Sequence, residues 1–521
     1  MKKFWVILLS LGLLMAFAMP AAAVDVKFSG SYYAQGWYVD NPSMLDKGAP
    51  ADIKRSTSSW ATNSRRSANA FYSQQFRLTT EFRVVEGLKL VTRIDALEKR
   101  WGDQSWAGAT GETQSRTNNP VAATKIQENI EFERAYLDFN VPFGKFQVGY
   151  MQFLTWGTDF LNTPLSAGGI RYYFSQGPLM VVAAIEKRAE YMGLAGGKLG
   201  ATGTAVASGG SGFIGDGNDA DKDVYDLGAI YKFKAGEAGL LYQYFRSSQY
   251  KTQYKNGYLT QISGLFPYAK LTFGNFFIEG EYAYGFGNLR SYENNGLASN
   301  ARVGTKGLAQ DVSVTAQNLF LHGKYDFKPA YVGLQFVYMS GDDNSNSDKI
   351  TGGLGSLLQA NYGFNRTLML WNADYGDNML STNSFAGNIP ATAVNARTGV
   401  GYQPNQFMDN VWFYQIYAGI TPMPKLDIKV AFSIANADKK PKSDVGAVGS
   451  AGYYNGAAVR EFASSEYGKE LDLTATYKIY DNLTYMIGAG YLWTGDYFKG
   501  YESGVTVSNN YLLSHRLTLN F

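Results

Sequence analysis

Tyr511, Leu513, Leu517, Leu519 and Phe521 share one parity of the chain's final stretch, and Ser514, Arg516, Thr518 and Asn520 share the other. Side chains alternate faces along a strand, so this stretch has one apolar and one polar face. An apolar face backed by an arginine suits a wall between lipid and water. A chain closing on such a strand, with an aromatic residue last, is expected to form a barrel in a bacterial outer membrane.

The same period recurs upstream. Phe76, Leu78, Phe82 and Val84 alternate with Arg77, Thr79, Glu81 and Arg83. Leu271, Phe273, Phe276, Ile278, Tyr282 and Tyr284 surround Gly274-Asn275, with Lys270, Glu279 and Glu281 on the opposite face. Leu471, Leu473, Tyr477 and Ile479 precede Asp481, and Leu483, Tyr485, Ile487, Tyr491 and Trp493 follow it. Short turns punctuate these segments: Glu86-Gly87, Pro142-Phe143-Gly144, Gln176-Gly177-Pro178, Ala235-Gly236-Glu237, Gly274-Asn275, Lys328-Pro329, Pro422-Met423-Pro424 and Asp481-Asn482. Gly, Pro, Asn and Asp supply the backbone angles that hairpins need.

Eight hairpins, a first strand at 25–39 and a last at 507–521 predict an all-β fold: a transmembrane antiparallel β-barrel of about 18 strands, with about 16 as the alternative. The even count places both ends on one side, with short periplasmic turns and long extracellular loops. Those loops fall at 40–68, 102–125, 154–166, 191–221, 291–309, 342–407 and 439–464. The stretch 342–407 is long for a structureless connection and is expected to fold inward or to cover a neighbour. Within it, Phe364 to Trp371 reads equally as a strand or as part of a loop. Aromatic clusters at Tyr32, Tyr33 and Trp37, at Tyr172, Tyr173 and Phe174, and at Trp412, Phe413 and Tyr414 are expected to form interfacial girdles.

At the other end, Lys2 and Lys3 precede an apolar run from Phe4 to Met19 and then Ala21-Ala22-Ala23. This predicts a secretory signal peptide over 1–23 and a single barrel domain over 24–521. The formal charge is only +3, and no basic run occurs, so nucleic acid is not an expected partner. The absence of cysteine excludes disulfides, thiolate metal sites and covalent haem attachment. No phosphate-binding Gly-Lys-Ser/Thr loop, His-Glu-x-x-His pair or Gly-x-Ser-x-Gly elbow is present, so no enzyme activity and no cofactor are expected. His322 shares parity with Lys324 and Asp326 and is expected in the lumen. His515 shares parity with the lipid-facing residues, which places it at a subunit contact or beside a tyrosine.

The polar parity carries the pore-lining candidates. Arg77, Arg83, Lys89 and Arg93 mix with Glu81 and Asp95, and Glu131 and Glu133 follow on the next strand. Ile130 and Phe132 share one parity but Leu137, Phe139 and Val141 the other, which predicts a bulge near Arg134. Basic and acidic candidates are nearly balanced, which argues against strong ion selectivity. Asp219, Asp221 and Asp223 stand at calcium-ligand spacing, but without the glycine and glutamate of an EF-hand loop. A hydrated surface loop fits them better, so no metal is expected.

The stretch from Glu131 to Phe160, EFERAYLDFNVPFGKFQVGYMQFLTWGTDF, resembles the Arg-Ala-Tyr-Leu-Asp-Phe…Gly-Lys…Val-Gly segment of Gram-negative general porins, particularly those of deltaproteobacteria. The resemblance implies a water-filled barrel among outer-membrane lipids, usually a homotrimer, that passes small hydrophilic solutes and ions. In that family the third outer loop narrows the pore, which makes Trp156, Asp159 and Phe160 constriction candidates opposite the arginines of the second and third strands. The Pro-Glu-Phe-Gly-Gly motif of enterobacterial porins is missing here. The expected function is therefore passive diffusion. A substrate-selective channel for sugars or small organic acids is the first alternative, and a scaffold barrel around an electron-transfer cytochrome is another.

Overall fold

The alternating segments enter one antiparallel sheet that closes on itself. The computed structural model describes residues 24–40, 68–101, 130–153, 155–162, 166–189, 221–248, 258–292, 311–342, 349–354, 364–372, 409–440, 442–444, 459–499 and 506–521. The strands are β1 (Asp25–Val39), β2 (Asn69–Val85), β3 (Leu88–Arg100), β4 (Ile130–Val141), β5 (Gly144–Gln152) and β6 (Ser166–Gln176). Next come β7 (Leu179–Ala189), β8 (Lys222–Phe233), β9 (Gly236–Ser247), β10 (Tyr258–Phe273), β11 (Phe276–Tyr292) and β12 (Val312–Phe327). The last six are β13 (Ala330–Met339), β14 (Val411–Met423), β15 (Leu426–Asn436), β16 (Glu466–Tyr480), β17 (Leu483–Thr494) and β18 (Asn510–Asn520). Each pairs with its neighbours in sequence, and β18 returns to β1 with Tyr33 opposite Thr518. At this seam Gly30 and Phe521 exchange backbone hydrogen bonds of 2.8 and 3.0 Å. The Phe521 ring stacks on Phe76 across the outer face.

Closure satisfies the backbone groups that an open sheet would leave bare to lipid. The outward parity is apolar and exposed. Phe28, Phe132, Ile170, Leu227, Leu334, Ile416, Leu473 and Leu513 all point away from the lumen. The fold is a transmembrane antiparallel β-barrel of eighteen strands, which removes the sixteen-strand alternative. Among the described residues no helix is long and apolar enough to cross a membrane.

The hairpin turns fall at 86–87, 142–143, 177–178, 234–235, 274–275, 328–329, 424–425 and 481–482, within two residues of their expected places. Two long-end connections were not among those expected: one between β9 and β10, and one between β17 and β18 that includes a 3-10 turn at Asp496–Lys499. The β9–β10 gap retains Tyr250 and Tyr254 and so lacks the purely polar look of a loop. The expected bulge is present. Register passes from Arg93 opposite Arg134 to Ile94 opposite Phe132, leaving Glu133 as the extra residue.

The girdle expectation needs correction. Tyr32, Tyr172, Phe174, Trp412 and Tyr414 take the outward parity, but Trp37 and Phe413 turn inward and are buried. Period 2 sends neighbouring aromatics to opposite faces, so a run of three cannot all meet the lipid. His515 does face outward. Its Nε2 lies 3.4 Å from Tyr72 Oη, and Gly36 leaves the space for both rings, since a Cβ there would stand 2.4 Å from His515 Nε2.

Inside the long-loop end lies an apolar cluster that includes Trp37, Phe160, Phe320, Phe364, Trp371, Val411, Phe413, Tyr467, Leu492 and Leu512. Phe160, Phe364 and Trp371 belong to no strand. They come from two stretches of chain that leave the wall and fold into the barrel.

Candidate pore constriction

The first inward stretch begins where β5 ends and covers 155–162. Gly157 takes a positive φ of 61°, which favours glycine. A Cβ there would stand 2.8 Å from Glu281 Oε2. That oxygen accepts from Thr158 N at 2.8 Å and from Thr158 Oγ1 at 2.6 Å. Thr158 Oγ1 in turn accepts from Phe160 N at 3.1 Å. Trp156 Nε1 donates to the Phe266 carbonyl of β10 at 2.8 Å, and the indole meets Tyr268 edge-on.

The second inward stretch, 364–372, answers the open reading of Phe364 to Trp371: its described residues form a turn, not a strand. Glu470 of β16 accepts from Met369 N on one oxygen and from Leu370 N on the other, both at 2.7 Å. Asp472 accepts from Leu368 N at 3.3 Å. Thr367 Oγ1 accepts from Trp371 N at 2.7 Å, and Gln415 Nε2 of β14 donates to the Arg366 carbonyl at 2.7 Å.

Both stretches use the same device. A backbone outside regular structure cannot be buried unless its N–H groups find acceptors. A buried carboxylate is costly unless donors surround it. Both oxygens of Glu470 and one oxygen of Glu281, side chains that are almost wholly buried, take up the loop amides. Rings then close the contact. Phe160 lies 5.1 Å from Phe364 and 5.5 Å from Phe320, and Trp371 bridges Phe364 to Phe413. Arg366 joins the two stretches through an ion pair with Asp159, and its guanidinium sits 3.6 Å over the Phe364 ring. The Asp159 side chain is 60% exposed, whereas that of Arg366 is 13% exposed.

The lumen candidates of β2 to β4 form a separate group. Arg77 Nε donates to Asp95 at 2.8 Å, and Arg93 reaches Asp95 at 3.4 Å and Glu133 at 3.7 Å. Glu131 stands opposite Asp95 in the β3–β4 register. Arg83 lies nearer the short-turn end with Glu81 and Asp25, at 3.2 and 3.8 Å. Asp159 pairs with Arg366 and not with the β2 and β3 arginines. Asp221 and Asp223 both pair with Lys187, and Asp219 lies outside the described residues. His322 faces the lumen as expected, with Nδ1 3.0 Å from Glu279 and Nε2 2.7 Å from Tyr417 Oη.

Sequence reasoning missed Arg366, whose loop has no periodicity to place it. It also left Arg171 out of the lumen set. Arg171 alternates with Ile170, Tyr172 and Phe174, so a parity signal was there to use.

No protein-family model and no curated protein matches the chain. Among solved structures it is similar to Pseudomonas aeruginosa OpdQ, with 10% identity over 95% of this chain and 97% of the other, and a TM-score of 0.42. It is similar to OccK8 (OprE) of the same organism, with 10% identity, 95% and 98% coverage and a TM-score of 0.43. The outer membrane channel DcaP of Acinetobacter baumannii matches with 10% identity, 96% and 98% coverage and a TM-score of 0.40.

Proposed function

We propose that the chain is an outer-membrane channel of a Gram-negative bacterium through which small hydrophilic solutes and ions diffuse passively. The observation that carries this reading is a closed barrel whose outer face suits lipid and whose charged lumen is narrowed by two pinned stretches of its own chain. Interior charge needs water or partners, and a water-filled lumen supplies the first. On this reading residues 1–23 are removed after Ala23, the short turns lie in the periplasm, and the subunits associate as the trimer that the resemblance to general porins implies.

A second reading, a channel selective for sugars or small organic acids, is favoured by one further observation. Rings follow one another from Phe160 of the first inward stretch to Phe320, His322, Tyr417 and Tyr331 of the inner wall, with centroid spacings of 5.5, 6.3, 6.0 and 6.2 Å. The cytochrome-scaffold alternative is disfavoured, because the chain's own side chains fill one side of the lumen at the long-loop end. Liposome swelling tests the main reading. Vesicles carrying the purified protein should swell in small sugars and progressively less in larger ones. No swelling in any solute would refute it.

A further inference from the structure

Toward the long-loop end, the outer surface of β9 to β12 turns polar in ordered rows. Outward parity is fixed by Leu240 and Leu321, which are exposed, and by Leu241 and Phe320 beside them, which are buried in the inward cluster. One register row on the outside is wholly apolar: Ala238, Ala269, Gly280 and Leu321. Four residues nearer the long-loop end the row is Tyr242, Leu265, Tyr284 and Gln317. The next is Tyr244, Ser263, Phe286 and Thr315, and the last is Arg246, Gln261, Asn288 and Ser313. This last row has no apolar side chain, and it continues through Asp223 of β8 to Lys187 of β7.

Rings and polar groups are interleaved here. Gln261 Nε2 donates to Tyr244 Oη at 2.7 Å, and Tyr242 Oη lies 3.1 Å from Ser263 Oγ. Tyr244 stacks with Tyr225 at 6.2 Å between centroids, and Tyr284 with Phe286 at 5.4 Å. Asn288 and Gln317 are exposed. The adjoining wall differs. Tyr338, the last outward residue of β13, stands opposite Leu319 of β12, well short of Ser313. There Phe336, Tyr338, Trp412 and Tyr414 pack as a purely aromatic belt, the pattern of a wall that meets lipid headgroups.

We propose that the outer face of β9 to β12 seats the saccharide headgroup of a membrane glycolipid, an assignment that rests on the outer-membrane reading above. The height of the face exceeds what a phospholipid covers. From the Tyr242 row to the Arg246 row is about 13 Å along a strand, or about 10 Å once the tilt of barrel strands is allowed for. A phospholipid headgroup layer is only about 5–8 Å deep. The apolar row beneath keeps whatever covers the face within the lipid layer. A sugar hydroxyl both donates and accepts, as do the amides of Gln261 and Asn288 and the hydroxyls of Ser263 and Thr315. Tyr242, Tyr244 and Phe286 offer ring surface for the apolar side of a sugar. Lys187 and Arg246 are balanced by Asp221 and Asp223, so the row favours neutral hydroxyls over phosphate groups.

The test is retention of lipopolysaccharide by the detergent-purified, full-length barrel, read as glycolipid left on the immobilised protein after washing. Wild type should retain it. Retention should fall about tenfold or more in Q261A/N288A. It should be unchanged in N436A, which removes an outward amide of β15 opposite Trp412 of the aromatic belt. Heat-modifiable gel migration confirms that each variant is folded. Equal retention by wild type and Q261A/N288A overturns the proposal, and so does a wild type that retains none. Diphosphoryl lipid A, which lacks the core saccharide, should be retained less, and equal retention overturns the assignment to the saccharide. Core oligosaccharide freed from its lipid should compete weakly, and competition at the concentration of the intact glycolipid overturns the membrane source. A wild type that elutes in gel filtration as a larger assembly than Q261A/N288A, with no lipid added, would place a second copy on this face and overturn it too. Retention needs no conduction, so a barrel that holds the glycolipid yet carries no current rejects the channel reading and keeps this surface.

Discussion

Arg366 and Asp159 stand 207 positions apart in the chain, yet their ion pair is the charged contact between the two stretches folded into the barrel. Arg366 is held from a second side by the Phe364 ring, so it is fixed in place while Asp159 remains partly open to the lumen. Removing one partner should free the exposed end first. D159N is expected to increase open-channel current noise with little loss of barrel stability, because pairs with an exposed partner contribute only about 0–1 kcal/mol. The charge-swapped double variant D159R/R366D should be quieter than either single reversal. Additive noise in the double variant would mean that the contact does not couple the stretches.

Glu470 and Glu281 should respond differently to the same amide substitution. Glu470 uses both oxygens to accept backbone amides, so E470Q must leave Met369 N or Leu370 N facing a donor. An unsatisfied buried donor costs about 1–3 kcal/mol. Glu281 uses only Oε2, and its Oε1 has no hydrogen-bond partner, so E281Q keeps both contacts to Thr158. Liposome swelling should be faster in E470Q and nearly unchanged in E281Q. Equal effects would count against the pinning role of Glu470.

Two glycines with similar backbone angles offer a matched comparison. Gly157 has a φ of 61° and would press a Cβ against Glu281, whereas Gly177 has a φ of 57° and open space around it. Left-handed backbone costs a non-glycine residue about 1–2 kcal/mol in either place. Only G157A should also alter conductance. A G177A variant with the same conductance change would trace the effect to backbone strain in general.

Replacing Arg77, Arg83 and Arg93 by alanine should shift ion preference toward cations, read as the reversal potential in a salt gradient. Most of the shift should come from Arg77 and Arg93, which leave the buried Asp95 uncompensated. Arg83 is half exposed and lies between Glu81 and Asp25, so R83A alone should change little. An unchanged reversal potential in the triple variant contradicts the assignment of this wall to the ion path.

Alternation carried most of the fold. Phe76 to Val84 against Arg77 to Arg83 is a signal that only a strand between apolar and polar surroundings produces, and turns such as Glu86-Gly87 and Asp481-Asn482 marked where it reverses. Even the bulge at Glu133 was legible, because Ile130 and Leu137 both had to face out. The constriction was legible only in part. Trp156, Asp159 and Phe160 were singled out by resemblance, but their partners Phe266, Arg366 and Phe364 lie more than a hundred residues away, and no local pattern encodes such pairings. Trp37 and Phe413 were misassigned because the inward apolar cluster they join is completed by loop residues such as Phe160, Phe364 and Trp371, which have no period.

The most direct test is single-channel recording of the purified protein in a planar bilayer, with the reversal potential measured in a salt gradient. Discrete current steps with mild ion selectivity are expected, grouped in threes if the subunits form a trimer. A folded barrel that inserts and carries no current would contradict the channel reading.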